Sequence, residues 1–125
     1  MKLLIIDDEV KICEMLQEWF EDHLVCDIVT ATTAPEALSL LASEQPEGML
    51  LDLNLKSKLG GFDILKRVKA ISPWTKVIMV TGVCDLESIE IALQLGAVDY
   101  ITKPFTIDYL EETVQTKIVN ALMYA

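Results

Sequence analysis

The chain has 125 residues, 52% of them hydrophobic and 24% charged, the composition of one globular domain with a real core rather than of a disordered chain. Its net charge of -10 argues against phosphate backbones or anionic lipid as direct partners, and favours proteins and divalent cations. No apolar run approaches the roughly 18 residues of a membrane span, acids follow Met1–Ile6 where a signal peptide would continue, and Cys13, Cys26 and Cys84, without C-x-x-C spacing, fit thiols in a reducing cytoplasm.

Leu3–Ile6 is a continuous apolar run that stops on Asp7 and Asp8, the pattern of a strand buried on both faces. Ile12, Cys13, Leu16, Trp19, Phe20 and His23 recur at helical spacing, which predicts a helix over 9–23 with His23 packed on its core stripe. Cys26–Thr30 reads as a second strand. Thr33-Ala34-Pro35-Glu36 has the spacing of a capping box with an early proline, and Ala37, Leu38 and Leu41 form the inner face of the helix it opens. Gly48–Asp52 is a third strand, apolar until it ends on an acid. A loop through Lys56, Ser57, Lys58, Gly60 and Gly61 leads to a helix with Phe62, Leu65 and Val68 inward. Trp74, beside Ser72-Pro73, belongs to a partly exposed loop. Val77–Thr81, a helix from Asp85 to Leu95 stopped by Gly96, a short strand Val98–Thr102 and a last helix from Thr106 to about Met123 complete the chain.

Strands alternating with helices predict an α/β fold, a single doubly wound parallel sheet of five strands with five helices over residues 1–125. Ligands of such sheets bind beyond the carboxyl ends of the strands. Asp7, Asp8, Asp52, Thr81 and Lys103 all stand at strand ends on that edge, so one crevice receives three carboxylates, a hydroxyl and an ammonium. Clustered carboxylates repel one another unless a positive charge intervenes. Magnesium, a hard oxygen-seeking ion that also accepts water and phosphate oxygens, suits them. With Lys103 and Thr81 it makes a receptor for a transferring phosphoryl group, and Asp52 in its midst is a nucleophile able to form an acyl phosphate. Acids at a helix start also serve as caps, a role that Asp8 can combine with metal binding.

These residues resemble the response regulator receiver family along nearly the whole chain: Asp7-Asp8 after the first strand, Leu51-Asp52-Leu53-Asn54, Thr81-Gly82 after the fourth, and Asp99-Tyr100-Ile101-Thr102-Lys103-Pro104-Phe105. The resemblance implies strand order 2-1-3-4-5 and a two-component signalling switch in the cytoplasm, in which a sensor histidine kinase or phosphotransfer protein donates to Asp52. It implies that Asp8 and Asp52 bind magnesium directly, Asp7 through water, and Asn54 through its carbonyl. Thr81, Lys103 and backbone N–H groups near Asn54 and Gly82 would hold the phosphoryl oxygens. The Lys103-Pro104 peptide would be cis, and Tyr100 would be an aromatic switch that follows Thr81. Family members usually carry a proline four residues after the acceptor and a glycine about eight after it. Here position 56 is lysine, and the run 56–61 looks one residue longer, which bears on partner specificity. Lys56 and Lys58 could meet an acidic or phosphorylated partner, or simply be solvated.

On the fourth helix Leu86, Ile89, Ala92 and Leu93 are expected to face the sheet, with Cys84, Ile91 and Leu95 on the opposite side. An apolar outer stripe of this kind suggests an interface, in which Ile91 and Leu95 join the α4-β5-α5 surface offered to a downstream target or a second copy. An aspartyl phosphatase of the haloacid dehalogenase type is a rival reading, but it wants a second acid where Asn54 stands. A flavin carrier wants a Ser/Thr/Gly-rich phosphate loop where Asp7 and Asp8 stand. A receiver-like binding module that is never phosphorylated is a further alternative.

Overall fold

A computed structural model describes residues 1–24, 26–56, 58–82 and 86–123. The strands are β1 (Lys2–Ile6), β2 (Asp27–Ala31), β3 (Gly48–Asp52), β4 (Lys76–Thr81) and β5 (Asp99–Thr102). They form one parallel sheet in the order β2-β1-β3-β4-β5. Between them lie α1 (Val10–His23), α2 (Ala34–Glu44), α3 (Gly61–Ile71) and α4 (Leu86–Gln94). The last helix, α5 (107–123), starts as an α-helix at Ile107–Tyr109, loosens into a π-helical segment at Leu110–Val114 and returns to α-helix at Gln115–Met123.

The strands are apolar on both faces because both faces are covered. Leu4, Ile6, Met49, Leu51, Val77 and Met79 share one core with Ala37 and Leu41 of α2, Ile64, Leu65 and Val68 of α3, and Ala92 of α4. The alternate residues Leu3, Ile5, Leu50, Ile78, Val80 and Ile101 pack with Cys13, Leu16 and Phe20 of α1 and Leu110, Val114 and Ile118 of α5. Each such side chain fully withdrawn from water contributes roughly 1.5–3 kcal/mol. Burial also pushes the Cys13 thiol up to about 11, so it stays a protonated core group.

Side-chain caps open α2 and α5. Thr33 accepts the Glu36 N–H at 3.3 Å, and Glu36 returns to the N–H of Thr32 at 2.9 Å, one residue earlier than a strict capping box. Thr106 caps α5 by accepting the Tyr109 N–H at 3.1 Å. The edge strand β5 is closed by α5: Lys117 Nζ donates to the Tyr100 carbonyl at 2.6 Å, and Tyr109 Oη accepts the Thr102 N–H at 2.9 Å. An edge so occupied offers fewer free groups to a foreign strand.

Several expectations need correction. Leu86 and Leu93 do not face the sheet: both are exposed, and Ile89 and Ala92 alone form the buried line of the described part of α4. Leu95, expected outside with Ile91, is half-buried against the core, whereas Ile91 is exposed. The helix is short and its buried seam narrow, so neighbours of the seam tilt into solvent. His23 is exposed in the last turn of α1 and stacks on the half-buried Trp19 with ring centroids 3.7 Å apart. Ile64 joins Leu65 and Val68 as a buried residue of α3, while Phe62 is only half-buried. Strand β2 runs one residue later than expected because Asp27 pairs with Lys2, and Ala31 accepts the Asp7 N–H just past β1. Cys84 and the expected helix start at Asp85 lie outside the described residues.

Candidate functional site

Strands β1 and β3 end alike. At each, the strand stops on an aspartate whose carboxylate accepts the N–H two residues on: Asp7 Oδ1 from Glu9 at 2.8 Å, and Asp52 Oδ1 from Asn54 at 3.0 Å. Such local bonds turn the chain and hold the carboxylate over the sheet edge. β1 and β3 are neighbours, so their acids converge: carboxylate oxygens of Asp7, Asp8 and Asp52 lie within 4.8 Å of one another. Asp7 and Asp52 are buried and Asp8 is half-buried.

Lys103 enters from the far side. Its N–H donates to the Thr81 carbonyl at 2.9 Å, which ties the end of β5 to the end of β4. Its Nζ sits 2.7 Å from Asp7 Oδ2, 3.4 Å from Asp52 Oδ2 and 4.0 Å from Glu9 Oε1. Burial works against the ammonium charge, but the Asp7 hydrogen bond and the Asp52 and Asp7 charges outweigh it and raise the Lys103 pKa. Burial likewise pushes the Asp52 carboxyl up. The Asn54 N–H and Lys103 pull it down without cancelling that push. One ammonium thus stands against three carboxylates in a confined place.

Thr81 is buried at the end of β4, one residue beyond Val80, which pairs with Asp52. Gly82 is exposed, and a Cβ there would meet nothing within 4 Å. The Lys103-Pro104 peptide is cis. Tyr100 lies further back on β5, paired with Met79, half-buried, with Lys117 Nζ 4.6 Å from its ring centroid. Ile91 and Leu95 belong to α4 and its end, outside the cluster.

The two glycines at the start of α3 differ in their surroundings. Gly60 has open space, whereas a Cβ on Gly61 would come within 2.7 Å of Leu53 Cα and 3.0 Å of the Asp52 carbonyl. The close approach of α3 to β3 is made at Gly61. Two features were missed from sequence. One is a groove of about 470 Å³ beside Lys103, floored by Ile12, Met15, Pro104 and Phe105 and edged by Glu9 and Gly82. The other is a hydrogen bond from the Lys56 N–H to Asp8 Oδ2 at 3.1 Å. Neither could be read from side-chain identity: the groove needs two loops brought to one helix, and the hydrogen bond uses a backbone group.

Among the described residues no helix is long and apolar enough to cross a membrane. The family model of the response regulator receiver domain matches residues 3–115. The chain is 33% identical to sporulation initiation phosphotransferase F of Bacillus subtilis over 114 residues, 91% of this chain and 90% of that protein. It is 34% identical to the alkaline phosphatase synthesis transcriptional regulatory protein PhoP of the same species, over 84% of this chain but only 43% of that protein. Several other relatives are likewise matched over about a quarter to a half of their length. Among solved structures, a receiver domain from Methanospirillum hungatei superposes with a TM-score of 0.84 at 29% identity, covering 99% of this chain and 98% of that one. With this breadth of match and the same sheet order, the chain belongs to the response regulator receiver domain family of two-component signalling.

Proposed function

We propose that residues 1–125 form one receiver domain that acts as a phosphoacceptor switch, with Asp52 taking a phosphoryl group from a phosphohistidine of a sensor kinase or phosphotransfer protein. The observation that carries this reading is the convergence of Asp7, Asp8 and Asp52 within 4.8 Å, with Lys103 Nζ 3.4 Å from Asp52. In the transfer a carboxylate oxygen of Asp52 attacks phosphorus, the P–N bond breaks, and its electron pair stays on the departing imidazole. Lys103 meets the charge of the phosphoryl oxygens, helped by the Thr81 hydroxyl and the N–H groups near Asn54 and Gly82.

The donor set fits magnesium: three carboxylates, no sulfur or imidazole, and one ammonium that balances only part of their charge. Asp7, Asp8, Asp52 and the Asn54 carbonyl would hold the ion, which when bound supplies neutralising charge to carboxylates and phosphoryl oxygens alike. The groove floored by Ile12, Met15, Pro104 and Phe105 opens beside Lys103 and offers a donor protein an apolar seat next to the acceptor. Two residues beyond Asp52 stands Asn54, which has no carboxyl proton to relay, and this favours a switch over a phosphatase. The output surface is α4-β5-α5, with Tyr100 as its link to Thr81 and Ile91 among its exposed apolar residues, Leu95 being half-buried against the core. The domain works in the cytoplasm, where such kinases deliver their phosphoryl groups.

An acyl phosphate has a chemical signature that tests this reading. Hydroxylamine at neutral pH should strip the label from the phosphorylated protein and leave a hydroxamate, which peptide mass spectrometry places on Asp52. A label that resists hydroxylamine, or a hydroxamate elsewhere, contradicts the assignment.

A further inference from the structure

We propose that the main-chain N–H of Lys56 is a positioning group for the metal ligand Asp8. The inference rests on the magnesium reading of the cleft. Each carboxylate of the cluster is held by a donor. Asp7 is held by the Glu9 N–H and Lys103, and Asp52 by the Asn54 N–H and Lys103. Asp8 has a different anchor: among the described residues its hydrogen bond comes from Lys56, at 3.1 Å, across from the β3–α3 loop. With Oδ2 fixed in this way, Oδ1 remains for a cation, and Asp8 need not give up rotamer freedom when the cation arrives.

The bond comes from the peptide group, and the side chain is incidental: Lys56 is exposed, and its backbone N–H reaches Asp8. A proline at this position would have no N–H and could not make the bond. Residue 56 therefore acts on the metal site through its peptide group, while the lysine charge stays at the surface.

Calorimetric titration with magnesium chloride, in the absence of any phosphodonor, separates the two parts of residue 56. Lys56→Pro removes the N–H and should weaken magnesium binding about tenfold, the lower end for loss of a group that orients a metal ligand. Lys56→Ala keeps the N–H and should bind within about twofold of wild type, since an exposed lysine charge near a site is screened. Equal affinity for Lys56→Pro and wild type overturns the proposal, as does an equal loss in both variants. If Lys56→Pro does not fold, hydrogen exchange of the Lys56 amide in the wild type decides. Protection that persists at saturating magnesium supports the role, and absent protection, or protection lost on loading, overturns it. Wild type that binds no magnesium would defeat the metal reading itself, whereas a normal Lys56→Pro defeats only this inference.

Discussion

Asp52 and Lys103 respond in the same sense to pH, although their charges are opposite. The folded Asp52 carboxyl is raised, by burial first, above the unfolded value of about 3.9. Between those two values the folded state holds more protons than the unfolded chain, so stability falls as pH rises through that window. Lys103 is raised above its unfolded value of about 10.4. Its contribution is fully present below that value and is lost as pH climbs through the folded one. In the metal-free protein the surroundings of Asp52, burial first, thus disfavour its charged form. Asp52→Asn keeps an acceptor for the Asn54 N–H and removes one negative charge. It should stabilise the metal-free protein at pH 7, seen as a higher melting temperature than wild type. It should also flatten the acid-side slope. A lower melting temperature in calorimetry would show that the Lys103 contact, rather than desolvation, dominates Asp52.

At the scale of elements, α3 approaches the end of β3 closely at Gly61, beside Asp52. A Cβ on Gly61 would press on the backbone of Leu53 and Asp52, which cannot yield as a side-chain tip can. Gly61→Ala should cost about 2 kcal/mol through overpacking, whereas Gly60→Ala, facing open space, should stay within about 0.5 kcal/mol. Urea unfolding of the two variants checks the contrast, and equal effects would place the tight approach elsewhere. The sequence carried a hint of this joint in the pair Gly60 and Gly61 leading into the helix, but not which glycine makes the close approach. Strand ends and their acids were legible because buried parallel strands are unbroken apolar runs that stop on a charge. The outer side of α4 was not, because helical periodicity marks a stripe without saying how wide the seam beneath it is. Leu86 and Leu93 fall at its margins and are exposed. His23 sits at helical spacing with Phe20 and Leu16, yet it is exposed in the last turn of α1, and its ring stacks on Trp19 instead. The π-helical segment Leu110–Val114 left no sequence signal, since Leu110, Val114 and Ile118 keep helical spacing through it.

For the molecule as a whole, the sheet acts as a frame with its chemistry on one edge. Two cores clamp the strands from both faces, and Asp52, the pair Asp7 and Asp8, Thr81 and Lys103 all lie at or just beyond the carboxyl ends of β1, β3, β4 and β5. The net charge of -10 adds a general attraction for divalent cations and a general repulsion of nucleic acid. The central claim is that this edge loads a phosphoryl group on Asp52 with help from magnesium. Intact mass spectrometry after incubation with acetyl phosphate tests it most directly. The account predicts a gain of one phosphoryl group that requires magnesium and is abolished in Asp52→Ala. A gain that survives in Asp52→Ala, or one indifferent to magnesium, would contradict it.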